Sequence, residues 1–195
     1  MRTTTRRDVI LAIDPGYELS AWVLYDGTHV LEHAIEENQA LLQRLTSGAW
    51  RVGEIDAIVF ESIESYGMAV GREVFETIFW TGRLFERALY RTGDVVRLAR
   101  RIVKLHLCQS ARAQDSNVRM ALCDRFGGPT RAIGKKKTPG PLYGVKSHEW
   151  QALALGVVWW DLNVTGKKSG AQDTGKTHAT IPVEGRSRNS RKAKR

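Results

Sequence analysis

The chain has 195 residues, of which 42% are hydrophobic, and this is enough for one packed domain of ordinary size. Its formal net charge of +9 is concentrated at the C-terminal end, where the segment from residue 166 onward holds nine basic and two acidic residues. The sequence shows no signal-peptide pattern and no apolar run of about 18 residues. Its two cysteines, Cys108 and Cys123, are not spaced as a pair of metal ligands. We therefore expect no membrane span and a reduced, cytoplasmic environment.

Five apolar or alternating segments predict β-strands: residues 8–14, 19–25, 28–33, 55–61 and 95–98. The tight-turn pair Asp26-Gly27 joins the second segment to the third. The first three strands should therefore form an antiparallel meander.

Four segments with helical apolar spacing follow the meander: residues 37–46, 72–91, 112–126 and 147–161. Gly48 and Gly93 are expected to end the first two, and Ser147 is a good N-cap for the last. This order predicts an α/β domain with a mixed five-stranded sheet flanked by helices, which is typical of the ribonuclease H-like fold. We assign this domain to residues 1–164 and expect residues 165–195 to form a basic, disordered tail.

The predicted tail lacks aromatic residues and is strongly basic, so its natural partner is a polyanion, most often nucleic acid. A tail that only improves solubility would have the same composition. Residues 170–177 match the phosphate-loop pattern G-x-x-x-x-G-K-[ST], but the strand and helix that such a loop needs are missing around them. We therefore predict no nucleotide cofactor.

Two acidic side chains close buried strands of the predicted sheet: Asp14 follows the apolar run 9–13, and Glu61 follows 58–60. A carboxylate in such a place costs several kcal/mol to desolvate unless a cation or hydrogen-bond donors compensate it. The two acids therefore predict a shared metal site, with Mg²⁺ as the expected ion and Mn²⁺ as a substitute. Two Mg²⁺ ions about 4 Å apart can stabilise the charge that develops when a phosphodiester is hydrolysed.

His148 is the expected third metal ligand or proton-transfer group. It lies at the start of the last predicted helix, and Gln151 shares its face three residues later. An exposed histidine at a helix start would give the same spacing. Asp115 and Glu64 are further acids near these segments, for which a solvated surface position is the simpler interpretation.

Four short segments resemble the RuvC-type crossover-junction endonucleases, especially the phage-encoded relatives. They are residues 13–16 (IDPG), 60–61 (FE), 110–119 (SARAQDSNVR) and 143–154 (YGVKSHEWQALA). The likeness spans residues 8–161. It implies a homodimeric, Mg²⁺-dependent nuclease that nicks four-way (Holliday) DNA junctions symmetrically in recombination, repair or phage DNA processing, in the host cytoplasm if the protein is phage-encoded.

The resemblance also assigns roles to the candidate residues. Asp14 matches the acid of the first strand, Glu61 the acid of the fourth strand, and His148 the first position of the final-helix pair, where some members carry histidine. Gln151 falls where the usual pattern has a second acid, and it offers an oxygen but no charge. The site is therefore expected to be one carboxylate short, and Glu149 could compensate only if the helix start is irregular.

A row of basic side chains precedes or flanks the proposed catalytic helix and is expected to hold a DNA strand across the site. Its members are Arg112, Arg119, Arg125, Arg131, Lys135, Lys136, Lys137 and Lys146. A merely solvated basic face is the alternative. Tyr66, in the loop after Glu61, is a candidate wedge that would stack on a base unpaired at the junction centre.

The predicted helix 72–91 is apolar on more than one face, as expected if it packs both on the sheet and on a twofold mate. Core packing alone explains this pattern almost as well. Two further functions fit the same fold. One is a non-catalytic junction-binding protein, favoured by Gln151 and the basic tail, and the other is a ribonuclease H-like nuclease acting on RNA–DNA hybrids or flaps.

Overall fold

A computed structural model describes the chain at residues 8–50, 54–64, 67, 69–92 and 94–165. Tyr66, Gly93, the segment 170–177 and the predicted tail beyond Thr165 lie outside these residues.

A five-stranded sheet forms the centre of the domain, with the strand order β3-β2-β1-β4-β5. Its strands are β1 (Ile10–Asp14), β2 (Leu19–Tyr25), β3 (Val30–Glu37), β4 (Ala57–Ser62) and β5 (Val95–Ala99). The pairs β1–β2 and β2–β3 are antiparallel, whereas β4 pairs in parallel with both β1 and β5. The predicted meander and mixed sheet are confirmed.

Helices cover both faces of this sheet. In the described part of the chain they are α1 (Asn38–Ser47), α2 (Arg72–Leu89), α3 (Arg100–Cys108), α4 (Asp115–Arg125), α5 (Pro129–Ile133) and α6 (Glu149–Trp160). A π-helical turn, Asp161–Thr165, continues α6. A short hairpin of β6 (Gly134–Lys135) and β7 (Thr138–Pro139) lies between α5 and α6. None of the described helices is long and apolar enough to cross a lipid bilayer.

The two faces of the sheet are covered by different helices because alternate residues of a strand point to opposite sides. Ile10 and Ala12 of β1 pack in the cluster that contains α4 and α6, whereas Leu11 and Ile13 pack in the cluster that contains α1 and α2. A side chain added at Gly156 of α6 would place its Cβ 3.4 Å from that of Ala12. The last helix therefore lies directly on the first strand.

The sequence did not predict α3, because both ends of this helix lack the usual signals. Its N-cap is Ala99, which offers no side-chain acceptor, and its C-cap is Gln109, at a φ of 55°, where glycine is more common. The helix predicted at 112–126 begins instead at Asp115. Gln114 and Asn117 form a capping box there, in which the backbone N–H of Gln114 donates to Asn117 Oδ1 at 2.9 Å.

The sequence predicted Ser147 as the N-cap of the last helix, and this prediction is wrong. Ser147 has a left-handed backbone with a φ of 45°, and His148 occupies the N-cap position. The start of α6 is held by Glu149, whose Oε2 accepts a 2.7 Å hydrogen bond from the backbone N–H of Lys146. This arrangement leaves the His148 side chain at the very end of the helix.

Candidate functional site

The two strand-end acids are neighbours because β1 and β4 run in parallel. Ile13 pairs with Phe60, so Asp14 and Glu61, one residue further along each strand, meet at the same edge of the sheet. Asp14 is buried, with 8% of its surface exposed, and its proximity helps to raise the pKa of the Glu61 carboxyl. The structure thus brings the two predicted acids together.

His148 reaches this edge from the start of α6. Its Nδ1 lies 3.2 Å from Oδ2 of Asp14, while 71% of its side chain stays exposed. The hydrogen bond to Asp14 raises the pKa of His148 above its usual range, although partial burial opposes the charged form. The imidazole is therefore suited to hold a proton beside Asp14.

Arg100 is a site residue that the sequence analysis missed. Ala99 pairs with Ser62, so the first residue of α3 lies beside Glu61. Arg100 donates through Nη1 to both carboxylate oxygens of Glu61, at 3.1 Å each, and through Nη2 to Asp115 Oδ2 at 2.8 Å. The sequence did contain a signal for Arg100. It directly follows the predicted strand β5, whose C-terminal end lies at the same edge of the sheet as those of β1 and β4.

The electrostatics of the cluster are dominated by the two carboxyl groups. Burial raises the pKa of Glu61 well above its usual range, and the neighbouring Asp14 raises it further, while Arg100 opposes both effects. Burial also opposes the charge of Arg100, but Glu61 and Asp115 outweigh it and raise the pKa of the guanidinium. The site therefore favours a positive charge beyond the one that Arg100 supplies.

These side chains open into a cleft of about 570 Å³, a volume typical of small-ligand sites. Asp14, Glu61, Arg100 and His148 line it, and further polar side chains in the lining include Glu18, Glu73, Thr77 and Ser147. The apolar side chains of the lining include Tyr17, Leu19, Ile35, Ile63 and Val74. The cleft therefore combines charged and apolar side chains in one lining.

Asp14, Glu61 and His148 fit a divalent cation by donor type, because Mg²⁺ and Mn²⁺ prefer carboxylate oxygens and imidazole also suits a transition metal. As placed, however, His148 contacts Asp14, and Glu61 is bound by Arg100. In the part of the chain that the structure covers, no group of three His, Cys, Asp or Glu side chains is arranged to hold a metal ion. Metal binding at these residues therefore stays a prediction.

Neither neighbour in the first turn of α6 supplies the missing carboxylate. Gln151 is half-buried and is not among the described residues that line the cleft. Glu149 is buried and engaged elsewhere: its Oε1 lies 3.0 Å from Nδ1 of His33 on β3, and its Oε2 binds the backbone N–H of Lys146. The contact with His33 satisfies the distance of an ion pair but not the angle of a hydrogen bond.

A buried polar network supports the loop that follows Asp14. The side-chain amide of Asn38 donates to the carbonyl of Gly16 at 2.9 Å, and its Oδ1 accepts from the Ser20 hydroxyl at 2.5 Å. The backbone N–H of Asn38 donates to the Glu18 carbonyl at 3.0 Å. The start of α1 therefore fixes one wall of the cleft.

Most of the predicted DNA-contacting residues are exposed on the α4 and α6 side of the sheet: Arg112, Arg119, Lys135, Lys136, Lys137 and Lys146. Arg119 stacks on Trp150 of α6, with its guanidinium carbon 4.9 Å from the ring centre. Arg112 precedes α4, whose first residue, Asp115, is bonded to Arg100. The start of α4 is therefore tied to the cleft through the hydrogen bond between Asp115 and Arg100.

Arg125, unlike the exposed members of the basic row, is paired with an acid at the C-terminal end of α6. It donates to both carboxylate oxygens of Asp161, at 2.7 and 2.5 Å, and His106 contacts the same carboxylate at 2.9 Å. Asp161 lies at the C-terminal end of α6, and the rise of the helix places it about 20 Å along the helix axis from His148. The guanidinium of Arg125 is therefore an internal ion-pair partner far from the cleft.

The fold of this chain is that of RuvC. The structure of RuvC from Thermus thermophilus matches with a TM-score of 0.54 and 18% sequence identity, over 77% of this chain and 92% of that one. The T. thermophilus RuvC in complex with a Holliday junction substrate matches with a TM-score of 0.59 and 17% identity, over 82% of this chain and 96% of that one. No protein-family model matches the chain, and no curated protein sequence matches it. The predicted ribonuclease H-like fold is thus confirmed.

Proposed function

We propose that this protein is a metal-dependent endonuclease that hydrolyses phosphodiesters in four-way (Holliday) or otherwise branched DNA. The observation that carries the proposal is the convergence of Asp14, Glu61 and His148 in one cleft, at the edge of a sheet with the RuvC fold. A T. thermophilus protein of this fold was solved with a Holliday junction substrate, which supports branched DNA as the substrate class.

Asp14, Glu61 and His148 would hold a Mg²⁺ ion, or Mn²⁺ in its place. When bound, such an ion lowers the pKa of a water molecule and stabilises charge on phosphoryl oxygens. The chain itself orients the substrate and moves the proton. His148 would act either as the third ligand or as the proton-transfer group, and as a ligand it would first give up the proton that it shares with Asp14.

The DNA backbone would be held by the exposed cations that surround α4 and the start of α6, with Tyr66 as the proposed wedge at the junction centre. Phosphate contacts of this kind make affinity fall steeply with salt. The basic segment beyond residue 165 would add to the same electrostatic attraction.

A homodimer is the proposed assembly, because symmetric nicking of a four-way junction needs two sites related by a twofold axis. The outer face of α2 fits a second copy of the chain. Phe75, Ile78 and Phe79 expose 61%, 50% and 56% of their surface there, although each is a large apolar side chain.

A second candidate function is a non-catalytic junction-binding protein of the same fold. Two observations favour it: Gln151 is neutral, and the described residues contain no group of three ligands arranged to hold a metal ion. The basic surface would then be the functional part of the molecule.

A nicking assay on a synthetic four-way junction, with a Mg²⁺ titration, separates these functions. We expect nicks on two opposing strands that require Mg²⁺ or Mn²⁺, and much slower cleavage of linear duplex. Junction binding that is unchanged by Mg²⁺ and yields no product would select the binding protein. Faster cleavage of an RNA–DNA hybrid or a flap than of the junction would select another nuclease of this fold.

A further inference from the structure

The turn that carries His148 into the cleft is closed by two hydrogen bonds between the same two residues, Lys146 and Glu149. The backbone N–H of Glu149 donates to the carbonyl of Lys146 at 3.0 Å. The backbone N–H of Lys146 donates in turn to Oε2 of Glu149 at 2.7 Å. The two enclosed residues, Ser147 and His148, both line the cleft. The side chain of Glu149 therefore fixes the backbone from which the His148 imidazole projects.

Ser147 gives this turn a conformation that needs support. Its φ of 45° lies in the left-handed region, which residues with a β-carbon rarely adopt. Such a conformation persists only where the surrounding structure over-determines it, and residues of this kind cluster at functional sites. The hydrogen bond from Lys146 to the Glu149 side chain adds such a constraint to the backbone bond of the turn.

Glu149 is itself held in the interior of the protein. Only 2% of its surface is exposed, and its Oε1 lies 3.0 Å from Nδ1 of His33 on β3. The loop before the turn passes close to the same imidazole, since a side chain added at Gly144 would place its Cβ 3.6 Å from Cε1 of His33. The Glu149 carboxylate therefore connects the turn to the sheet.

We propose that Glu149 is a positioning residue for His148. Its carboxylate holds the Ser147 backbone in the left-handed conformation, and the imidazole of the next residue then reaches Asp14, with 3.2 Å between Nδ1 and Oδ2. The inference rests on the proposed nuclease function, in which His148 is a metal ligand or the proton-transfer group. Glu149 acts through His148 and not on the substrate. Without its hydrogen bond to Lys146, the turn relaxes and the imidazole leaves Asp14.

Two single substitutions separate the hydrogen bond of Glu149 from its charge. Glu149→Gln has the same length and keeps an oxygen that can accept from Lys146, but it carries no charge. Glu149→Asp keeps the charge, but its side chain is one methylene shorter and no longer reaches the backbone N–H of Lys146. We expect the glutamine variant to behave as the wild type and the aspartate variant to lose the turn.

The first experiment observes the His148 imidazole directly and needs neither DNA nor metal. Proton–nitrogen correlation NMR of the full-length protein at one fixed pH gives the ring nitrogen shifts, which His148→Ala assigns. Asp14→Asn supplies the shifts of a ring without its partner. Glu149→Asp should move the Nδ1 shift toward that of Asp14→Asn, and Glu149→Gln should keep the wild-type shift. An unmoved shift in Glu149→Asp, or an equal movement in Glu149→Gln, would overturn the inference.

The second experiment measures single-turnover nicking at saturating junction and a fixed Mg²⁺ concentration. Glu149→Asp should nick about 10- to 100-fold more slowly, the loss typical of residues that orient a metal ligand, while Glu149→Gln should keep most of the wild-type rate. Junction affinity should be the same in all three proteins. A wild-type rate in Glu149→Asp would overturn the positioning role.

The matched control is Asp26→Ala. Asp26 is also a buried carboxylate that accepts backbone N–H bonds within a turn, from Thr28 at 2.9 Å and His29 at 2.6 Å. It follows the end of β2 that pairs with Ile10, so it lies at the opposite end of β1 from Asp14. Asp26→Ala should melt at a lower temperature and nick at the wild-type rate. An equal loss of rate in this control would assign the effect to stability and overturn the inference.

Glycine in place of Ser147 offers a rescue that is specific to this mechanism, because glycine adopts the left-handed conformation without support. Ser147→Gly added to Glu149→Asp should recover part of the wild-type Nδ1 shift and of the nicking rate. If Glu149→Asp fails to fold and Ser147→Gly does not restore it, Glu149 is a structural residue only and the inference is wrong. Thermal melting of each variant shows whether it is folded.

The two experiments also distinguish this inference from the function on which it rests. A wild-type protein that nicks no junction would overturn the nuclease function, and the role of His148 with it. The NMR comparison would still decide whether Glu149 holds the imidazole beside Asp14.

Discussion

The imidazole Nδ1 of His148 lies 3.2 Å from Oδ2 of Asp14, although 134 residues separate the two in the chain. The contact exists because α6 lies directly on β1, where Gly156 leaves room for the side chain of Ala12. A residue larger than alanine at Gly156 would push the helix outward and separate the two groups. The geometry of the site therefore depends on packing eight residues away from it.

Removal of either strand-end charge should abolish nicking and spare DNA binding. Asp14→Asn and Glu61→Gln keep the size of each side chain but remove a proposed metal ligand. We expect the nicking rate to fall by at least about 100-fold, the upper end of losses seen for groups that only support a metal ligand. Gel-shift affinity for the junction should change little, because the basic surface is intact.

The matched control for this pair is Asp124→Asn, which removes an exposed carboxylate of α4. It should nick at the wild-type rate. A wild-type nicking rate in either strand-end variant would contradict the assignment of Asp14 and Glu61 as essential groups.

Asn38→Ala should lower the free energy of unfolding by about 2 kcal/mol, because it leaves the buried Ser20 hydroxyl and the Gly16 carbonyl without their partners. Chemical denaturation measures this change directly. Gln39→Ala, at an exposed position of the same helix, should stay within about 0.5 kcal/mol of the wild type. Equal stability of the two variants would show that the network does not support the loop.

Asp161 should make stability depend on pH at the acidic end. Burial opposes its ionisation, but hydrogen bonds from Arg125 and His106 outweigh this effect and lower the pKa of the carboxyl. The folded pKa is thus below the unfolded value, so the stabilisation is complete above about pH 4 and is lost as the pH falls through the folded pKa.

The variant Asp161→Asn tests this directly. At pH 7 it should unfold about 1 kcal/mol more easily than the wild type, a modest figure because Arg125 is more than a third exposed and solvent screens the pair. Thermal melting from pH 7 to pH 3 should show the gap between the two proteins closing as the pH falls. A gap that stays constant over this range would refute the ion-pair account.

A charge placed on the outer face of α2 should dissociate the proposed dimer. Phe79→Asp would bury a carboxylate against the apolar surface of the second copy, so light scattering should report the mass of a single chain. Met120→Asp, at an exposed apolar position of α4, is the control and should leave the dimer intact. A monomeric wild type, or a Phe79→Asp variant that still forms the dimer, would exclude this face as the interface.

Truncation after Thr165 should weaken junction binding and reduce its dependence on salt, because the removed segment carries nine of the basic residues. The single-turnover nicking rate at saturating DNA should change little. Binding isotherms over a range of salt concentrations give both quantities. A large fall in the saturated rate would mean that the segment acts within the site.

The sequence predicted the sheet well because its strands are marked locally, by apolar runs and by the turn at Asp26-Gly27. Asp14 and Glu61 were found for the same reason, since each closes such a run. The sequence did not show α3, whose ends carry no cap signals, and with it Arg100 was missed. The register that aligns Ile13 with Phe60, and so sets the two acids side by side, is a non-local property that no short pattern encodes.

Helix α6 is buried on all sides: Trp150 and every residue from Ala152 to Trp159 lie in the interior. Amide hydrogens in such an element exchange with solvent only when the whole domain opens, not through local fraying. We therefore expect the element that carries His148 to be among the slowest to exchange in the molecule. The backbone at the start of α6 should therefore stay beside β1 until the fold itself is lost.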